Sequence, residues 1–269
     1  MPELPDVEAM RLTIEPDVVG RTFAGVTLNW PRAVRHPSPG EFQEGLVGAE
    51  VTGLRRRAKY FLFDLDVDET LIIHLRMTGS LRVTPVVEPL HRYTQTIFHF
   101  ADGQDLRFVD PRKFGAMWLV GDTESVLGGL GPEPLESSFT SEVLARILAK
   151  RVAPVKALLL EQELIAGIGN IYADDILFDA KVHPLRPGKE VSGPKVEAIH
   201  GAIQSILARA IETLMAGLPK DAPPTEALGM EIFMMPRESG APCPQCGHGI
   251  ERIKVRGRGT YFCPQCQPE

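Results

Sequence analysis

The chain has 269 residues, 43% of them apolar, enough for one large or two ordinary hydrophobic cores and too many for a disordered acidic chain. No apolar run approaches the roughly 18 residues needed to cross a membrane, and Glu3, Asp6 and Glu8 stand where a secretory signal carries bases, so a cytoplasmic protein is expected. The formal net charge of -6 argues against a nucleic-acid partner, unless the bases are gathered locally.

A helix is expected over residues 5 to 15. Pro5 suits its first position, Asp6 and Glu8 suit its first turn, Val7, Met10 and Ile14 share a face, and Pro16 should end it. Short strands follow at 22–28, 60–66, 70–75, 94–100, 106–109 and 117–120, with turns such as Asp102-Gly103 between them, which points to a β-sandwich or barrel-like domain. Residues 121–138, with Gly128, Gly129, Gly131, Pro132 and Pro134, read as a linker. Helical periodicity then covers 141–149, 155–163, 171–180 and 195–216, and residues 217–242 are Pro-rich and irregular. The class is α+β: two domains, with a small module on the second.

All four cysteines fall in that module. Cys243-x2-Cys246 and Cys263-x2-Cys266 are separated by 16 residues, the pattern of two knuckles closing one structural zinc site with no open position for a water nucleophile. Between the pairs, Arg252, Lys254, Arg256 and Arg258 interleave with Ile253 and Val255 in a hairpin pattern. Such a run is either a solvated strand face or, with Arg258 near the tip, a metal-stiffened loop that brings a cation to a phosphate.

The start, Met1-Pro2-Glu3-Leu4-Pro5-Asp6-Val7-Glu8, places a proline second. Removal of Met1 would expose a secondary amine with a pKa near roughly 8, partly unprotonated at neutral pH and able to attack an aldehyde-level carbon. Glu3 could shuttle protons beside it if burial raised its pKa. By itself a second proline is only a processing signal.

The combination says more. MPELPDVE, Arg56-Arg57-Ala58-Lys59-Tyr60, His74-Leu75-Arg76-Met77-Thr78-Gly79-Ser80, Asp110-Pro111-Arg112-Lys113-Phe114-Gly115, Leu130-Gly131-Pro132-Glu133-Pro134-Leu135, Gly167-Ile168-Gly169-Asn170-Ile171-Tyr172-Ala173 and the four cysteines occur in order from residue 1 to residue 266. Together they resemble the formamidopyrimidine-DNA glycosylase (Fpg) family, whose fold the endonuclease VIII enzymes share. The resemblance implies an N-terminal β-sandwich with a leading helix (1–125), a helix-two-turn-helix DNA-binding domain (126–230) and a zinc finger (231–269), with DNA in the cleft between. The basic clusters at 55–59, 107–113, 150–156 and 252–258 would face that cleft.

On the same resemblance, Pro2 matches the nucleophile that attacks C1′ of the damaged nucleotide and Glu3 the acid that helps open the sugar. The Schiff base then permits β- and δ-elimination without any cofactor beyond one structural Zn2+. Lys59 matches a basic residue near the lesion, although alone it reads as a surface lysine. Arg258 matches the zinc-finger arginine assigned to δ-elimination. Asn170 matches a phosphate contact at a helix start, where a plain cap would serve equally. Met77, Arg112 and Phe114 match a triad that fills the gap left by the extruded base, although by spacing alone Met77 and Phe114 read as core residues. His91, Arg151 and Lys156 match positions at or near the DNA backbone.

Two departures stand out. Arg92-Tyr93 follows His91, and the stretch Met230-Glu231-Ile232-Phe233-Met234-Met235 replaces the family's usual runs in the loop that covers an extruded 8-oxoguanine. The expected partner is double-stranded DNA with oxidised purines or abasic sites, bound by a monomer in the bacterial cytoplasm at the nucleoid. The alternatives are an oxidised-pyrimidine or broader lesion range and a catalytically silent DNA-binding protein. A nucleotide site at Gly167-x-Gly169 fits poorly, since no third glycine follows and the preceding segment reads as helix.

Overall fold

The structure is a computed structural model that describes residues 1–217 and 233–269. The described residues divide into two compact units, the first Met1–Gly129 with residues 214–217 and the second Leu130–Thr213 with residues 233–269.

The first unit opens with helix α1 (Leu4–Val18). Its chain order continues β1 (Phe23–Leu28), β2 (Val34–His36), α2 (Pro39–Leu46), β3 (Val51–Arg57), β4 (Tyr60–Leu65), β5 (Thr70–His74), β6 (Ser80–Pro85), β7 (Thr94–Phe100), β8 (Gln104–Val109), β9 (Ala116–Val120) and the short α3 (Glu124–Leu127). One sheet has the order β1-β7-β8-β6 and the other β2-β9-β5-β4-β3, antiparallel throughout except for the β2–β9 pair. Both sheets feed one core in which Phe23, Phe98 and Phe108 meet Phe61, Phe63, Leu71 and Ile73. Val7, Met10 and Ile14 of α1 and Phe42 and Leu46 of α2 join it, as a sandwich with a leading helix requires.

Several expectations are corrected here. α1 does not stop at Pro16 but runs through it to Val18, since a proline in the last turn removes only one of the helix's final hydrogen bonds, and Val19 N–H still reaches Glu15 O at 3.1 Å. Elements β2, α2, β3 and β6 were not anticipated. α2 carries a sequence signal nonetheless: Ser38 Oγ accepts from Glu41 N–H and the Glu41 carboxylate accepts from Ser38 N–H, a capping box readable as Ser-Pro-Gly-Glu. β6 ends in Pro85 at a sheet edge, where a missing donor is tolerated.

The second unit holds α4 (Ser141–Leu148), α5 (Val155–Leu159), α6 (Asn170–Asp179), α7 (Gly193–Gly217) and the hairpin β10 (Glu251–Val255) and β11 (Arg258–Phe262). The expected 155–163 helix ends at Leu159. Gly167-Ile168-Gly169 lies between α5 and α6, without the preceding strand that a dinucleotide fold needs. Most of residues 217–242, including Met230, Glu231 and Ile232, lie outside the described residues. No helix among the described residues is long and apolar enough to cross a membrane.

Arg107, expected in a basic cluster facing DNA, is instead fully buried. It pairs with Asp105 at 3.0 Å and donates to the carbonyls of Pro85 and Pro89. Asp105→Ala should strand that guanidinium and destabilise the protein by about 3–5 kcal/mol. Urea unfolding of the two proteins side by side measures the difference, and a loss within the scatter of surface substitutions would show that the carbonyls alone satisfy Arg107.

Candidate active site and zinc centre

Pro2 and Glu3 sit at the head of α1, and both are buried. Glu3 is the residue before the helix, and its N–H donates to the Asp6 carboxylate at 2.7 Å. Burial, reinforced by the neighbouring Glu3 charge, pushes the Asp6 carboxyl up to about 6, although the Glu3 N–H pulls the other way. Lys59 occupies the two-residue turn between β3 and β4. Its partner in the turn, Ala58, has φ 52°, and Lys59 itself is buried rather than a surface lysine.

These two places are tied together. Arg56 Nε donates to Glu8 of α1 at 2.8 Å, and Arg56 Nη1 donates to the Ala58 carbonyl at 3.0 Å. Burial opposes ionisation of Glu8, yet hydrogen bonds and charge from Arg11 and Arg56 hold its carboxyl below the usual range.

Met77 and Phe114 are 38% and 47% exposed, so neither is a core residue. Met77 lies in the loop after β5, where Arg76 takes φ 57° and its N–H donates to His74 Nδ1 at 3.0 Å. Burial, then the charges of Arg76 and Lys59, push His74 down to about 3, leaving the neutral ring that an acceptor requires. Arg112 lies over the Phe114 ring at 4.7 Å and, like exposed His91, forms no ion pair among the described residues. His91 opens on a cavity of about 400 Å³ also lined by Arg92, Tyr93, Asn29 and Lys113, with Arg92 stacked 4.4 Å over Tyr93.

In the second unit, Arg258 is the first residue of β11. The turn before it, Arg256-Gly257, has φ 45° and 78°, the left-handed pair of a tight two-residue hairpin. Arg258 is exposed. Asn170 is the first residue of α6, not its cap; its Nδ2 donates to the Gly259 carbonyl at 3.0 Å, and its Oδ1 is buried without a hydrogen-bond partner among the described residues. Arg151 turns back to the Ile147 carbonyl at 2.5 Å.

Lys156 requires a correction. It is fully buried, ion-paired with Asp174 at 2.6 Å and hydrogen-bonded to Thr260 Oγ1 at 2.7 Å, so it holds the hairpin to α6 and offers no surface to a DNA backbone. The sequence reading missed the other members of this group. Arg237 reaches Asp174 at 3.1 Å and lies 5.0 Å over Tyr261, while the Asp175 carboxylate, pushed up to about 7 by burial, accepts the N–H groups of Met234 and Met235. Acidic residues inside an apolar helix, Asp174-Asp175 in α6, were the available signal.

The ligand atoms of Cys243, Cys246, Cys263 and Cys266 lie within 4.8 Å of one another, with Cys243–Cys266 at 3.9 Å and Cys246–Cys263 at 3.5 Å. Four sulfurs at the usual zinc distance of about 2.3 Å form a tetrahedron of edge about 3.8 Å, so the donor set fits one structural zinc ion.

Comparisons agree with this arrangement. Family models described as the formamidopyrimidine-DNA glycosylase N-terminal domain, its H2TH domain and the zinc finger found in FPG and IleRS match residues 1–117, 130–219 and 240–268. A formamidopyrimidine-DNA glycosylase of Symbiobacterium thermophilum is 43% identical over all of this chain and 90% of its own, and that of Geobacillus kaustophilus is 41% identical over 99% and 100%. Lactococcus lactis Fpg, solved with DNA containing N7-benzyl-Fapy-dG, superposes with a TM-score of 0.91 at 34% identity over the whole of both chains. A MutM bound to DNA containing carbocyclic 8-oxo-G gives the same TM-score at 33% identity.

Asp6 makes stability depend on pH. Below its ordinary value of 3.8 the carboxyl is protonated whether folded or not, and between 3.8 and about 6 only the folded chain keeps the proton, so stability falls as pH rises through that window and is level above it. Urea unfolding from pH 3 to 8 should therefore show wild type losing up to about 3 kcal/mol relative to Asp6→Asn between pH 4 and 6; parallel curves would refute the assignment.

Proposed function

The chain belongs to the formamidopyrimidine-DNA glycosylase family, DNA-repair glycosylases with AP lyase activity, and from that premise we propose that it excises oxidised purines, 8-oxoguanine and formamidopyrimidines, through a Schiff base on Pro2. The observation that carries this reading is the buried Pro2-Glu3 pair at the head of α1, tied through Glu8 and Arg56 to the turn bearing Lys59.

Once Met1 is removed, the Pro2 nitrogen attacks C1′, and the base leaves with the electron pair of the glycosidic bond and takes up a proton. Glu3 protonates the ring oxygen as the sugar opens, and the nitrogen lone pair completes the iminium. The cationic iminium acidifies the 2′ hydrogen. Its loss expels the 3′ phosphate in β-elimination, and a second elimination expels the 5′ phosphate. Hydrolysis then frees the proline. Lys59 serves the proton transfers of base loss and β-elimination, and Arg258 grips the phosphate expelled in δ-elimination.

Met77 and Phe114 fill the gap left by the extruded nucleotide while Arg112 meets the orphaned base, which offsets unstacking of a few kcal/mol. His91, Arg151 and Asn170 take backbone phosphates. Lys156 has no DNA contact in this scheme, and zinc is structural. We assign the chemistry to 1–125, duplex binding to 126–230 and the Arg258 finger to 231–269, acting as a monomer on nucleoid DNA in the bacterial cytoplasm.

Borohydride reduction with an abasic-site duplex tests the chemistry. Protein lacking Met1 should form a covalent adduct that Pro2→Gly abolishes, and no adduct from the wild type would leave a DNA-binding protein without catalysis. In an excision panel, 8-oxoguanine and formamidopyrimidine duplexes should be cut faster than thymine glycol, and the reverse order would move the chain to oxidised pyrimidines.

A further inference from the structure

Asp110, just after β8, is 1% exposed and plays no part in the chemistry above. Its Oδ1 accepts the Thr78 hydroxyl at 2.6 Å and the Arg112 N–H at 3.2 Å, and its Oδ2 accepts the Gly115 N–H at 2.8 Å. Thr78 adjoins Met77, while Arg112 and Gly115 bracket Phe114. One carboxylate thus reaches into both loops that carry exposed apolar tips. Its own backbone is anchored, the N–H on Tyr93 O at 2.9 Å and the C=O accepting Gln95 Nε2 at 3.0 Å.

The two loops also close on one ring. A Cβ at Gly79 would lie 2.8 Å from Phe108 Cε2, and one at Gly115 would lie 2.2 Å from Phe108 Cζ. Phe108 is fully buried, so neither loop has room to settle differently against it. On the far side of Met77, the Arg76 N–H is held by His74.

We propose that Asp110 is a positioning residue for insertion into the duplex, a clasp that makes Met77 and the Arg112–Phe114 pair enter the base stack as one preassembled body. This rests on the reading that those residues fill the gap left by the lesion. Hydrogen bonds donated to a buried carboxylate fix both loops before DNA arrives, so the ordering of two separate loops is not charged against binding. Of the three donors to Asp110, Thr78 alone donates from its side chain, which makes it the place to cut.

The test uses the full zinc-loaded chain without Met1 and a duplex carrying one 8-oxoguanine beside a 2-aminopurine. Thr78→Val removes the bridging donor with little change of shape, Thr78→Ser restores it, and Asp110→Asn replaces one acceptor oxygen by a donor. For Thr78→Val and Asp110→Asn, the 2-aminopurine brightening that reports unstacking should weaken, and the ratio of duplex excision to trapping on a single-stranded abasic oligonucleotide should fall about tenfold, the effect of losing one hydrogen bond to a charged group. Thr78→Ser should return both readouts to wild type, independently of whether Asp110→Asn folds. A Thr78→Val protein that unstacks and excises like wild type overturns the clasp alone. A wild type that traps no abasic site overturns the proposed chemistry, and the clasp with it.

Discussion

From β3, the Arg56 guanidinium reaches Glu8 on α1 with one nitrogen and the Ala58 carbonyl with another, at 2.8 and 3.0 Å. The helix that follows Pro2 and Glu3 and the turn that carries Lys59 belong to different elements, and this planar fork fixes them to each other. Arg11 shares Glu8 and extends the brace to Glu15 along the helix. Removing any member would leave a half-buried charge short of a partner, a far larger penalty than the gain from a surface ion pair. The position of the N-terminal end relative to the Lys59 turn is therefore set by folding.

Buried charge does comparable work in the second unit, where Lys156 and Asp174 join α6 to β11. This changes the meaning of the net charge of -6. Arg55 is paired with Asp64, Arg56 with Glu8, Arg107 with Asp105, Lys156 with Asp174 and Arg256 with Glu161. Part of the apparent basic clustering is thus internal neutralisation. Arg112 and Arg258 are exposed and form no ion pair among the described residues. Lys113, Lys150, Arg252 and Lys254 of the same clusters are exposed as well, so attraction to a polyanion rests on these local cations against an acidic total that weakens long-range steering.

The sandwich was legible because strand alternation and turn residues are local signals, and the zinc centre because ligand spacing in sequence maps onto ligand spacing in space. The proposed catalytic pair Pro2-Glu3 and the loop motifs were legible through resemblance; alone, Met77 and Phe114 read as core residues, and only their exposure separates the two meanings. What the sequence hid is long-range pairing. Lys156 looks like one more base in a basic segment, and nothing nearby announces that Asp174 and Thr260 bury it. Asp110 was visible within a motif, yet its three donors come from positions 78, 112 and 115, a convergence that appears only after β5 and β8 have placed their loops.

The Arg256-Gly257 turn places Arg258 at the start of a strand, Arg258–Phe262, that ends one residue before Cys263. With both turn residues left-handed and the hairpin in strict register, there is no slack between the metal and the arginine. Free energy released when four thiolates close on zinc would thereby help to fix the backbone from which Arg258 projects. In the proposed role of Arg258, the backbone ordering that an open loop would undergo at every encounter with a phosphate is undergone once, when the finger folds. On that proposal, a finger held by metal affects residence time on phosphate more than the rate of arrival.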